Sequence, residues 1–300
     1  MTTPLRRYVA DALARPIEPD FAGFARAVAA ERSGVAVLFY GSVLRTGDRD
    51  GMLDFYVLTE ERRKGATARL WPDISFAEHQ TAAGTLRAKV ATMPLDAFVR
   101  AAAGRSRDTT IWTRFVQPAA LAWARDDAVC EKVERAVADA AMTAARYAAV
   151  LGPHAGSAED YWRALFRETY RAEFRIEPRG RNDVIVDHDP QHYAALLPLA
   201  WEAARIDFGR HDVTLSPRVE DAERKRLRAG WRRVRRWGKP LNAARLVKAA
   251  FLLDGAARYG AWKVERHTGV RVAMTPWREA HPLLAAPGVL WRVWRARRAG

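Results

Sequence analysis

Six apolar residues in a row, Val35-Ala36-Val37-Leu38-Phe39-Tyr40, stop abruptly at Gly41-Ser42, and this run constrains the fold more than any other stretch. It is short, has no polar face and is rich in β-branched and aromatic residues, so it reads as a buried strand. The polar, glycine-bearing segment 41–51 follows, and then residues 52–59 read as a second strand. Two antiparallel strands flanking a turn are the expected arrangement. A third strand is expected at residues 86–93, within LRAKVATMP.

Around these strands the apolar spacing is helical. Tyr8, Leu13, Phe21, Phe24, Ala25 and Val28 recur at helical intervals, broken by the Pro16 to Pro19 turn. Pro94-Leu95-Asp96 reads as a helix start, because a proline ahead of apolar-periodic residues and an early acid suit the unpaired amides of a first turn. Helix is expected from there to about residue 150, with Phe98, Trp112, Phe115, Leu121 and Trp123 in the core. The Gly-, Pro- and Ser-containing stretch 151–157 marks a break, and residues 158–176 resume as an amphipathic helix. Short extended pieces are expected at 183–186 and 270–274 in an otherwise helical second half. The fold class that follows is α+β: a mixed sheet with helices over residues 1–150, then a mainly helical second domain over 151–300.

Composition narrows the partners. The formal charge is +15, from 50 Lys and Arg against 35 Asp and Glu, which favours phosphate-rich partners, whether nucleotides, nucleic acid or an anionic lipid surface. A single cysteine, Cys130, excludes an intramolecular disulfide and a thiolate metal cluster and suits a reducing compartment, with the cytosol as the default. The start lacks the apolar core of a secretory signal, and no stretch of about 18 uncharged apolar residues occurs, so no membrane span is expected. The seven histidines are scattered without a metal-binding spacing; Pro190 separates His188 from His192, and Asp187-His188-Asp189 reads as the cap of a following helix.

The chemistry concentrates at the strand exit, where eleven residues separate Gly41-Ser42 from Asp54 on the next strand. A glycine at 41 lets backbone amides approach a triphosphate without obstruction by a Cβ. The Ser42 hydroxyl can bond a terminal phosphate oxygen, Arg45 adds a cation, and a strand carboxylate at 54 can hold Mg²⁺ against the same phosphates. Asp50, or else Asp48, is placed to complete the metal site from the turn. The competing reading is a plain hairpin turn; an Asp at this offset between two apolar strands favours the functional one.

This segment resembles the polymerase-β-like nucleotidyltransferases, whose signature is a strand, Gly-Ser or Gly-Gly, a spacer, and then Asp-hydrophobic-Asp/Glu. Here Tyr56 stands where the second carboxylate is expected. A narrower resemblance spans roughly residues 35 to 125. The order Gly41-Ser42, Leu53-Asp54-Phe55, Leu86-Arg-Ala-Lys89-Val, Leu95-Asp96-Ala-Phe98 and Trp112-Thr-Arg114-Phe-Val-Gln117-Pro118 is similar to the blocks of mitochondrial-type phosphatidate cytidylyltransferases. Val43 and Gln117 replace a Gly and a Lys of that pattern, and Tyr259-Gly-Ala-Trp-Lys263 is similar to a block near that family's end. The resemblance implies a nucleotidyltransferase-like sheet and Mg²⁺-dependent transfer of CMP from CTP to phosphatidic acid, with Gly41 and Ser42 on the nucleotide phosphates, Asp54 on the metal and Lys89 on a phosphate of either substrate. Lys89 as an edge-strand charge and Arg114 as a helix-surface residue are the plainer readings of those two positions.

Between Arg224 and Lys239 lie nine basic residues and no acidic one, interleaved with Leu227, Trp231, Val234 and Trp237; GVLWRVWRARR, with Trp291 and Trp294, repeats this chemistry at the end of the chain. Indoles among arginines fit a helix lying on the anionic inner face of a membrane, in preference to a nucleic-acid surface. The alternating charges of residues 170–181 read as solvated helix pairs, a subset of which can meet an acceptor phosphate. Two other functions remain open: nucleotidyl transfer to a small molecule or an RNA end, and a non-catalytic nucleotide-binding scaffold on anionic surfaces.

Overall fold

The computed structural model describes residues 3–60, 71–172 and 185–252, together with 275, 277 and 288. The expected strand at 270–274, the Tyr259 to Lys263 block, Trp291, Trp294 and most of the charged stretch after Ala172 lie outside these residues. Helices α1 (Pro4–Leu13) and α2 (Pro19–Glu31) lead into β1 (Gly34–Tyr40), a single turn and a half of helix α3 (Ser42–Thr46), and β2 (Met52–Thr59). Then come β3 (Asp73–Thr81), β4 (Gly84–Pro94), α4 (Leu95–Ala102), α5 (Thr110–Phe115), β5 (Ala119–Ala124) and the long α6 (Asp127–Leu151). The second half holds α7 (Ala158–Ala172), α8 (Pro190–Ala203), the hairpin β6 (Asp207–His211) and β7 (Thr214–Arg218), and α9 (Asp221–Leu252). The fold is α+β.

The main sheet has the order β3-β4-β2-β1-β5. β1 pairs antiparallel with β2 and β5, while β2 runs parallel to β4, so the sheet is mixed. Strand alternation divides its side chains between two cores. Val37, Phe39, Leu53, Phe55, Val57 and Val90 meet Phe21, Phe24 and Val28 of α2 on one face. Leu38, Tyr40, Tyr56, Leu58, Ala91 and Met93 face the other way, into a larger core completed by α1 and α4 to α8. Phe24 stacks edge-on against Phe55 with ring centroids 5.6 Å apart, and truncating a buried Phe of this kind to Ala costs about 3–5 kcal/mol.

The expected break at 151–157 is a turn: α6 ends at Leu151, and Ser157 exchanges bonds with Asp160 at the start of α7. One hydrophobic core nevertheless runs across it, since Tyr161, Trp162, Leu196, Trp201 and Trp231 pack in the same cluster as Tyr56 and Phe98. Asp189 caps α8 through the His192 amide, at 3.1 Å, as its position before Pro190 implies.

Four expectations require correction. Residues 119–124 are a strand, not a continuation of helix, because Ala-Ala-Leu-Ala-Trp-Ala pairs along the open edge of β1 and ladder pairing outweighs alanine's helix preference. Leu121 and Trp123 are consequently half-buried. The described part of the 183–186 piece, Ile185 and Val186, is helical. Finally Trp231 is buried, its ring 5.5 Å from that of Tyr147, and Val234 is buried beside it; both hold α9 onto the protein, so Trp231 is no surface anchor.

Candidate functional site

The sheet register brings the candidate residues together. Asp54 lies opposite Tyr40 across the antiparallel β1·β2 ladder and opposite Lys89 across the parallel β2·β4 ladder. Directly paired residues project from the same face of a sheet, so Tyr40, Asp54 and Lys89 form one row. The face is that of the larger core, at the end of β1 where the chain turns out through Gly41.

Gly41 is indispensable to that turn. Its φ is +93°, a region where L side chains are strained. A Cβ at this position would also collide with Asp54 Oδ2 and lie 3.2 Å from both Asp54 Cβ and Cγ. The carboxylate is thus packed directly on the elbow. Ser42 and Arg45 follow on α3, and both are exposed; the Ser42 carbonyl accepts a bond from the Thr46 hydroxyl at 3.1 Å.

Cations converge on Asp54. Burial raises its pKa, and Lys89, Arg114 and Arg45, in that order, oppose the rise. Arg114 reaches in from α5: its Nη1 donates to the Tyr40 hydroxyl at 2.9 Å, and its guanidinium lies over the Tyr40 ring, 4.9 Å from the centroid. Arg114 is therefore an inward-facing residue, not a helix-surface one. Burial pushes the Tyr40 hydroxyl up to about 12, against the pull of Arg114, so it remains a neutral phenol. Gln117, where the resembled pattern has Lys, donates to the Thr113 carbonyl at 3.0 Å and finishes α5.

The other sequence candidates fall as follows. Tyr56, in the second carboxylate's place, is 1 % exposed in the larger core, and burial raises its pKa. Asp50 sits exposed in the turn, its amide donating to Asp48 Oδ1 at 3.0 Å. Among the described residues no three His, Cys, Asp or Glu side chains converge. This donor set does not build a protein cage for a metal, but it fits one hard cation that takes a single carboxylate and completes its shell with phosphate and water oxygens.

Sequence reasoning missed one member of the site. Tyr40 was legible only as the last apolar residue of β1, although its place before Gly41 puts it beside the elbow. The described residues contain no helix long and apolar enough to cross a membrane. Neither protein-family models nor curated proteins match this chain.

Proposed function

We propose that the Asp54 row is the active centre of a nucleotidyltransferase, and that it transfers CMP from CTP to phosphatidic acid, giving CDP-diacylglycerol and pyrophosphate. The observation that carries this reading is the packing of the Asp54 carboxylate on the Gly41 elbow with Lys89, Arg114 and Arg45 around it. One carboxylate among three cations at a Cβ-free turn suits a bound triphosphate better than it suits a structural ion pair. The polymerase-β-like pattern and the narrower cytidylyltransferase-like order of blocks point the same way.

In the proposed reaction an oxygen of the acceptor phosphate attacks the α-phosphorus of the nucleotide. The bond from that phosphorus to the bridging oxygen breaks, and pyrophosphate leaves with the electron pair. The acceptor is already ionised at neutral pH, so no base is required of the protein. Gly41 leaves room for the phosphates, the Ser42 hydroxyl donates to a phosphate oxygen, and Lys89 and Arg114 offset the charge that accumulates on the leaving group. A Mg²⁺ ion held by Asp54 would neutralise phosphate charge and polarise the reacting phosphoryl group. The exposed basic face of α9, with Trp237 40 % exposed, is the proposed contact with the anionic inner face of the membrane in a cytoplasmic, peripheral enzyme.

Labelled CTP, Mg²⁺ and phosphatidic acid vesicles should yield a chloroform-soluble labelled product that Asp54→Ala abolishes. Labelled tRNA or polyol in its place would favour the other acceptors. The burial of Tyr56 where a second acid is expected favours one rival, a nucleotide-binding scaffold, and binding of CTP without turnover on any acceptor would establish it.

A further inference from the structure

A cavity of about 690 Å³ opens between the turn after α4 and the middle of α9, and its polar wall is almost wholly guanidinium: Arg105 and Arg107 from the turn face Arg232, Arg233 and Arg236 from the helix, with Trp237 at the edge. Among the described residues, none of these five arginines makes an ion pair. Arg105 acts through space on Asp139 and Arg233 on Tyr147, and neither Asp139 nor Tyr147 lines the cavity. Five like charges around one space repel each other, so the folded chain holds them together against that repulsion.

Both walls are fixed independently of the charges. The turn is tied to α6 by a buried bond from the Thr143 hydroxyl to the Ala102 carbonyl, at 2.9 Å. α9 is anchored by buried Trp231 and Val234, and at Gly238 it passes so close to α7 that a Cβ would lie 2.5 Å from the Ala172 carbonyl oxygen. The Arg107 guanidinium lies over the Trp237 ring, 5.3 Å from its centroid, and joins the two walls. The five arginine side chains are exposed on backbone that is fixed in place, and guanidinium groups match phosphate oxygens in pairs.

We propose that this cavity is a binding site for a multiply charged phosphate group, presented either by a free phosphate compound or by a lipid headgroup. The site is distinct from the Asp54 row in its residues and does not depend on the nucleotidyl-transfer reading. A concave, arginine-walled space of this size favours a compact group of two or more negative charges over the single charges of a phosphodiester chain.

Titration calorimetry of the full chain with inorganic pyrophosphate, without divalent metal, tests it. The double variant Arg232→Gln/Arg236→Gln should bind about tenfold or more weakly, since each charge-assisted bond is worth about 1.5–3 kcal/mol. Lys225→Gln/Arg228→Gln, which removes the same charge from exposed positions of α9 outside the cavity, should leave the affinity within about twofold. Competition assigns the source: phosphatidic acid vesicles that displace pyrophosphate better than phosphatidylglycerol vesicles of equal charge identify a lipid headgroup, and no displacement identifies a free phosphate compound. Equal losses in the two double variants, or none in Arg232→Gln/Arg236→Gln, would overturn the proposal.

Discussion

Asp54 and Lys89 are direct partners across the parallel ladder between β2 and β4, so a carboxylate and an ammonium group share one face of the sheet where Gly41 turns the chain outward. Neither the strand pairing nor the helices need ionisable groups there. Burying a carboxylate costs free energy that its partners offset only in part, and here burial outweighs the cations, since the Asp54 pKa is raised. Sites that carry this kind of cost are characteristic of function.

The first consequence concerns Gly41. Gly41→Ala places a Cβ into the Asp54 carboxylate at a φ of +93° and should destabilise the chain by about 1–3 kcal/mol. CTP binding should weaken by more than the loss of folded protein explains. Thermal denaturation and nucleotide titration on the same samples separate the two effects.

Asp54→Asn should make the chain more stable at neutral pH while abolishing transfer. A folded pKa raised above the unfolded value of 3.8 means that the group's contribution is fully present below the unfolded pKa and is lost as pH rises through the folded one. The neutral amide escapes that loss. Its melting temperature should exceed that of the natural chain at pH 7, with the gap closing as pH falls; a lower melting temperature at pH 7 would refute the argument.

His192 gives a dependence of the opposite sign. Its ring spans from the Tyr8 hydroxyl, 2.9 Å from Nδ1, to the Val116 carbonyl, 3.1 Å from Nε2, and burial lowers its pKa below 6.5. With the folded pKa depressed, its contribution is present above the unfolded value and lost as pH falls through the folded one. Urea midpoints should therefore decline as pH falls below about 6.5, and His192→Gln should flatten the decline.

How much of this was readable in advance depends on whether a residue's partners are local. β1 and β2 were legible because Val35 to Tyr40, between Gly34 and Gly41, and Met52 to Thr59, directly after Gly51, carry strand patterns. The Gly41 and Asp54 pairing was legible because one turn sets it. The alanine-rich β5 was not, since its strand character comes from the edge of β1. Arg114 was legible only through the order of blocks, since the placement of its helix depends on packing far along the chain. The burial of Trp231 was not legible, because an indole among arginines has the same local pattern whether it faces lipid or Tyr147.

The pairing of Arg245 with Asp108 extends that point to stability. Their side chains are 14 % and 4 % exposed, 2.9 Å apart, and Arg245 also donates to the Thr110 hydroxyl at 3.1 Å. This contact fastens α9 to the start of α5, the helix that carries Arg114. Arg245→Met leaves Asp108 buried without its cation and should cost about 3 kcal/mol, read from denaturant midpoints. Asp108→Asn/Arg245→Met should cost less than the sum of the single changes.

The most direct measurement uses Mn²⁺ in place of Mg²⁺, titrated against the natural chain and Asp54→Asn with a non-hydrolysable CTP analogue, the bound ion being read by electron paramagnetic resonance. The account predicts a protein-bound metal and nucleotide complex in the natural chain and its loss, by about tenfold or more in affinity, in the variant. Equal binding of Mn²⁺ and nucleotide by the two proteins would contradict it.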